Sequence, residues 1–201
     1  MNYEVLRRIF FDAIRMTADQ RARVQPYYRR LENMKTSNES LHKIIKEFER
    51  NEVGSRKYIV EVEDEIYEVE LHNVAGKSTS GICVKNHYDA VKAGKLIILC
   101  LSNIDDVLKN GKKTKLVPTK VSDIESKHKG SKWLYVNDYS VEPGVTGEVT
   151  VEIEIPEKRE SNQKNRVYHI TTDKSVGYKS MKERRVIPNL AVRGTVSIRR
   201  A

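Results

Sequence analysis

The sequence predicts an α+β fold. Three features carry that prediction: apolar residues recur at helical spacing up to about residue 54, the period switches to two at Lys57, and strand-like runs dominate the second half. Residues 3–16 place Leu6, Ile9, Phe10, Ala13 and Ile14 on one stripe of an amphipathic helix whose other side carries Arg7, Arg8 and Arg15. A polar stretch with Pro26 is expected to interrupt it. Ser37 or Asn38 then supplies an N-cap for a second helix with the stripe Leu41, Ile44, Ile45 and Phe48. From Lys57, Tyr58, Val60 and Val62 alternate with Ile59, Glu61 and Glu63. Beyond Asp64-Glu65 the run 66–71 alternates again, which is the pattern of a β-hairpin.

Residues 76–81 read as a mobile loop. A helix is expected over 103–109, with Lys92 as its earliest start and Asn110-Gly111 as its stop. Strands follow at 133–136, at 149–155 with Val149, Val151, Ile153 and Ile155 on one face, at 167–171, and at 190–198 with Val192, Val196 and Ile198. Pro143-Gly144 and the polar run 156–165 are connecting turns. The expected organisation is a helical region 1–56, an α+β core 57–172 and a basic segment 173–201 that carries the last strand.

The chain has 201 residues, 37 Lys+Arg against 28 Asp+Glu, a net charge of +9 and a pI near 9.4. At this length, 38% hydrophobic residues suffice for a core without metal or disulfide. The longest aliphatic run, 96–101, falls far short of the ~20 residues a membrane helix needs, and the start is no signal peptide. A cytoplasmic protein without membrane contact is expected. Cys83 and Cys100, 17 apart and with no partner pair, argue against both a disulfide framework and a structural zinc site. The charge is unevenly spread: residues 1–56 carry +4, 57–155 carry −3 and 156–201 carry +8. Every base of the middle segment is Lys, whereas seven Arg fall in the first 30 residues and six after residue 165. Arg donates bidentately to phosphate, so the basic ends are the expected polyanion contacts, with Arg7, Arg8, Arg15, Arg166, Lys179, Lys182, Arg184 and Arg185 as candidates.

Gly76-Lys77-Ser78-Thr79 looks like the end of a phosphate-binding loop, but Leu71 stands where that motif needs glycine. Glu61, Glu63, Glu68 and Glu70 alternate with apolar residues and read as the solvated face of a sheet rather than a metal cluster. No nucleophile elbow, zinc-protease helix or dinucleotide fingerprint occurs. Neither metal nor cofactor is expected. His72, His87 and His169 fall where strands or loops could present them, while His42 and His128 read as surface residues. Metal-free RNA cleavage needs a base for the ribose 2′-hydroxyl, an acid for the leaving 5′-oxygen and cations at the phosphate. Histidine suits the first two roles, and Lys85, Arg166 and the hydroxyls of Tyr168 and Thr171 suit the third.

The stretch Ser80-Gly81-Ile82-Cys83-Val84-Lys85-Asn86-His87, the segment 101–108 and the strands 132–136, 149–155 and 167–171 resemble, in order and character, the nuclease-like domains of the barnase, EndoU, colicin E5/D and RelE superfamily. The likeness is to those carried in polyvalent proteins of phages and mobile elements, and it covers a little over half the chain. It implies a helical start packed on a curved, mainly antiparallel β-sheet and RNA cleavage without metal. By position it points to His87 near the helix entrance and to His169 with Thr171 on a late strand. Two classes of function are expected from all this. One is a metal-independent endoribonuclease or nuclease-like toxin domain, with His87 and His169 as acid and base, His72 as alternate, and Lys85 or Arg166 at the phosphate. The other is a non-catalytic binder, of nucleic acid (RNA before DNA) or of an acidic protein partner. Tyr135, Tyr139, Tyr168 and Tyr178 are stacking platforms in the binder and packing residues otherwise.

Overall fold

In the computed structural model, which describes residues 16–35, 38–80, 86–117, 130–142, 145–156, 164–172 and 185–188, helix α1 (Ala18–Glu32) starts at a capping box. The Thr17 hydroxyl accepts from the Gln20 amide at 3.2 Å, and the Gln20 side chain accepts from the Thr17 amide at 2.9 Å. Pro26 lies inside α1 and does not interrupt it. Proline costs a helix about 3 kcal/mol. Val24, Tyr27, Tyr28 and Leu31 are buried on one stripe, and burial contributes roughly 1.5–3 kcal/mol per large side chain. Pro26 and Ala22 are both exposed, so the carbonyl that proline leaves unbonded meets water.

Helix α2 (Asn38–Phe48) buries Leu41, Ile44, Ile45 and Phe48, as its periodicity predicts, and Phe48 meets Tyr27 edge-on with ring centroids 5.0 Å apart. It runs into one π-helical turn (Glu49–Val53), closed by the Gly54 amide donating to the Glu49 carbonyl at 2.9 Å. Gly54 has φ 65° and ψ −169°, a region essentially reserved for glycine. The hairpin follows as β1 (Lys57–Val62) and β2 (Glu65–Leu71), joined by Glu63 and Asp64, both at positive φ as a type I′ turn requires. Tyr58, Val60 and Val62 are buried, and the register puts Glu61, Glu68 and Glu70 together on the opposite face.

The segment expected as a mobile loop is instead helix α3 (Val74–Ser80). Its small polar residues let it come close to the sheet. Thr79 donates to the Ala75 carbonyl at 2.8 Å, the Ala75 amide donates to Glu49 Oε2 at 3.0 Å, and the buried Ser78 hydroxyl accepts from the Ile170 amide at 2.9 Å. Helix α4 (His87–Ser102) starts before Lys92, capped by the Asn86 side chain accepting from the Asp89 amide at 2.9 Å. All of 96–101 is buried, because α4 is the central element, with α1 and α2 on one side and the sheet on the other. Burial pushes the Cys100 thiol up, and Cys100 is free. Asn103 breaks the axis, and α5 (Ile104–Asn110) ends at Gly111. No described helix is long and apolar enough to cross a membrane.

The remaining strands are β3 (Lys112–Val117), β4 (Gly130–Glu142), β5 (Val145–Pro156), β6 (Arg166–Thr172) and β7 (Arg185–Pro188). With β1 and β2 they form a seven-stranded sheet in the order β1-β2-β6-β5-β4-β3-β7, antiparallel throughout except between β2 and β6. The class is therefore α+β. Strand β3 has no signal in the sequence because lysines occupy both of its alternating sets. The helix expected at 3–16 and the strand expected at 190–198 lie outside the described residues. Lys113 on β3 donates to the Glu61 carbonyl on β1 at 2.6 Å, although five strand steps separate them in the order. In a flat sheet five steps span about 24 Å. The sheet is thus curved, and its wrapping around α4 and α5 brings the two strands within reach of one side chain.

Candidate functional site

Strand β6 carries an extra residue opposite β5. Glu152 pairs with His169 and Ile153 with Val167, so Tyr168 is the bulge. On either side of it Val167 and Ile170 face the core, while Arg166, His169 and Thr171 share the other face with Glu154, Glu152 and Thr150 of β5. That face is polar and buried. His169 Nδ1 lies 3.2 Å from Glu152 Oε2, and Arg166 reaches Glu154 Oε2 through Nε at 3.0 Å and a terminal nitrogen at 2.9 Å. The Thr171 hydroxyl is buried and has no hydrogen-bond partner. Beside these pairs, Lys164 meets Glu70 at 3.1 Å and Asn165 donates to the Glu68 carbonyl at 3.0 Å, forming the wall of a groove of about 260 Å³.

Burying carboxylates is costly, and a buried ion pair seldom stabilises more than apolar residues of the same shape. A buried imidazole–carboxylate pair beside a guanidinium has the composition of a proton-transfer site. Glu152 orients the ring through Nδ1 and turns Nε2 away from the carboxylate. Arg166 supplies a fixed positive charge next to it. Among the described residues no group of His, Cys, Asp or Glu is arranged to hold a metal ion.

Of the residues singled out from sequence, Arg166, His169 and Thr171 come together on this face. His72 follows β2, is exposed, and donates its amide to the Val167 carbonyl at 2.9 Å, two positions before His169 on β6. His87 is elsewhere. It opens α4, is exposed, and holds the Glu32 carbonyl at the end of α1 through Nε2 at 2.9 Å. The neighbour the sheet gives His169 is Glu152. Arg185 opens β7, paired with Val117 of β3. Lys85, Arg7, Arg8, Arg15, Lys179, Lys182, Arg184 and His128 lie outside the described residues. His42 is half-buried rather than a surface residue, with Nδ1 3.2 Å from the Thr79 hydroxyl. Tyr135 is a packing residue, fully buried in the core.

Sequence reading missed Glu152, Glu154 and Thr150, because a strand with one apolar face ordinarily turns the other to water. The available signal was charge complementarity, Glu152 and Glu154 on one strand against Arg166 and His169 on another. Comparison of the chain with protein-family models, with curated proteins and with solved structures finds no match.

Proposed function

We propose that this chain is a cytoplasmic, nucleic-acid-acting protein, a metal-independent endoribonuclease or nuclease-like toxin domain, with RNA rather than DNA as its substrate. The observation that carries the reading is the His169–Glu152 contact beside Arg166. In the reaction His169 takes the proton of the ribose 2′-hydroxyl, and the 2′-oxygen attacks phosphorus. The bond from phosphorus to the 5′-oxygen breaks, and an acid protonates that oxygen, leaving a 2′,3′-cyclic phosphate and a 5′-hydroxyl. DNA lacks the nucleophile. His72, exposed and backbone-bonded to β6, is the acid in this scheme, and Arg166 and the Thr171 hydroxyl attend the phosphate. Glu154 already pairs with Arg166, so the polyanion is held by the basic ends of the chain, above all the +8 of residues 156–201.

A second reading, a non-catalytic nucleic-acid binder, is favoured by one observation. His169 and Glu152 are only 5% and 3% exposed, which leaves little of either side chain within reach of a substrate. One assay separates the two. The full chain is incubated with mixed RNA in EDTA beside His169→Ala and His72→Ala variants. Cleavage to cyclic-phosphate ends, lowered ~100-fold or more in His169→Ala, supports the enzyme. Intact RNA retained in a salt-sensitive complex supports the binder. Absence of both cleavage and retention at moderate salt sinks the nucleic-acid reading and leaves an acidic protein partner.

A further inference from the structure

The end of α1 and the start of α2 bound an open cleft of about 450 Å³, lined by Arg29, Arg30, Lys35 and Lys43 together with Met34 and Ile44. All four bases are exposed, and the lining includes no carboxylate. Arg30 meets Glu47 at 2.6 Å, whereas among the described residues no ion pair or hydrogen bond engages the side chains of Arg29, Lys35 or Lys43. Most of the surface open to the cleft is nevertheless apolar. Ile44 is itself buried, so that surface belongs to half-buried Met34 and to the hydrocarbon stems of the bases.

The opposite character lies on the β1–β2 hairpin. Residues 57–71 hold one base and six acids, a charge of −5, which exceeds the −3 of the whole middle segment. Ile59 and Ile66 are 64% and 73% exposed, two of the three large hydrophobics exposed among the described residues. The register pairs Ile59 with Glu68 and Glu61 with Ile66, so the two isoleucines are diagonal neighbours on one face with a carboxylate beside each. Lys57 meets Glu68 at 2.6 Å, but among the described residues no ion pair or hydrogen bond engages the side chains of Glu61, Glu63 or Asp64.

Each surface lacks what the other has. A cleft with an apolar surface and cationic side chains selects an apolar group flanked by carboxylates, and the hairpin presents that pattern. A bare phosphate strand would meet the cations and leave the apolar surface uncovered. The basic C-terminal segment, +8 over residues 156–201, is repelled by the cleft. Within one chain the hairpin packs chiefly on α5 and β6, while α1 and α2 pack on α3 and α4. The hairpin that fills the cleft is therefore another copy's.

We propose that the chain associates with itself head to tail, the β1–β2 hairpin of one copy seated in the α1–α2 cleft of the next. Ile59 and Ile66 cover Met34, and Glu61, Glu63 and Asp64 face Arg29, Lys35 and Lys43. The contact joins two different surfaces, so every dimer keeps a free cleft at one end and a free hairpin at the other, and further copies add. It shares no residue with the His169 face and is independent of the RNA reading.

The test is sedimentation velocity of the full chain from about 10 μM to about 1 mM, the range of a small transient interface. Mass rises with concentration. Raising salt from about 0.1 M to about 1 M weakens the association about tenfold, as the screening length falls from about 10 Å to about 3 Å. Lys35→Glu with Lys43→Glu disables the cleft, and Ile59→Lys with Ile66→Lys disables the hairpin, all four positions being exposed. Each double variant alone associates at least about tenfold more weakly than the wild type. Mixed, the two form a complex of one copy of each and nothing larger, because one retains only its hairpin and the other only its cleft. Should the hairpin variant lose its fold by circular dichroism, Glu61→Lys with Glu63→Lys takes its place. A wild type that is monomeric at every concentration and salt, unchanged association in either variant, or no complex on mixing overturns the proposal. It is overturned equally if the wild type stays monomeric and binds single-stranded RNA that the cleft variant does not, an outcome that gives the cleft to nucleic acid.

Discussion

The imidazole Nδ1 of His169 sits 3.2 Å from Oε2 of Glu152, on neighbouring strands, with 6% and 3% of the two side chains exposed. Neither group is placed by its own local sequence. The bulge at Tyr168 shifts the alternation of β6 by one residue, and without it a strand starting from Arg166 would turn His169 into the apolar core beside Val167.

Removing the ring should therefore cost more than removing the charge. His169→Ala removes a buried partner of the Glu152 carboxylate and leaves a cavity, and is expected to lower stability on the order of 3 kcal/mol, whereas Glu152→Gln keeps a hydrogen-bonding atom and costs about 1 kcal/mol. Urea denaturation of the two variants and of the double mutant measures the coupling. Additive effects would show that the two side chains do not act as a pair.

Ser78 does for β6 what a longer β2 would have done. The parallel pairing of β2 with β6 ends at Leu71 and Val167, and beyond it the buried Ile170 amide is bonded by the Ser78 hydroxyl at 2.9 Å. Ser78→Ala leaves that amide unpaired, with an expected loss of about 1–3 kcal/mol. Hydrogen exchange at Ile170 should quicken well before that of Val151, its partner on β5; equal protection in variant and wild type would refute the role.

Two tyrosines set an alkaline limit on the fold. Burial is the main force lifting the Tyr58 and Tyr135 hydroxyls from 10 to about 12. A raised folded pKa contributes stability that is complete below the unfolded value of 10 and is lost as pH climbs to about 12. Each amounts to roughly 2–3 kcal/mol in that window. Phenolate absorbance should show these two ionising together with unfolding, and Tyr135→Phe should move the alkaline midpoint upward. Ionisation of both near pH 10 with the fold intact would contradict their burial.

If the basic C-terminal segment holds a polyanion, charge and affinity must fall together. Lys179→Gln, Lys182→Gln and Arg184→Gln combined should lower the slope of log affinity against log salt for RNA by about 2–3, near one unit for each phosphate no longer neutralised. An unchanged slope would remove this segment from the interface.

The sequence by itself determined those elements whose signal is periodic and local. The stripe of α2 is buried at Leu41, Ile44, Ile45 and Phe48, the β1–β2 hairpin keeps the alternation of Tyr58, Val60 and Val62, and β5 keeps its apolar face at Val149, Val151 and Ile153. Tertiary structure alone decided the rest. Pro26 stays helical because Tyr27, Tyr28 and Leu31 bury around it, and residues 74–80 become a helix because Ser78 and Thr79 find partners on β6 and α2. Lys113 meets Glu61, and His169 meets Glu152, because a curved sheet and one bulge bring together residues far apart in the chain. Periodicity reports which face a residue shares with its near neighbours. Which partner that face meets is set by strand order, register and curvature, and those are properties of the packed chain as a whole.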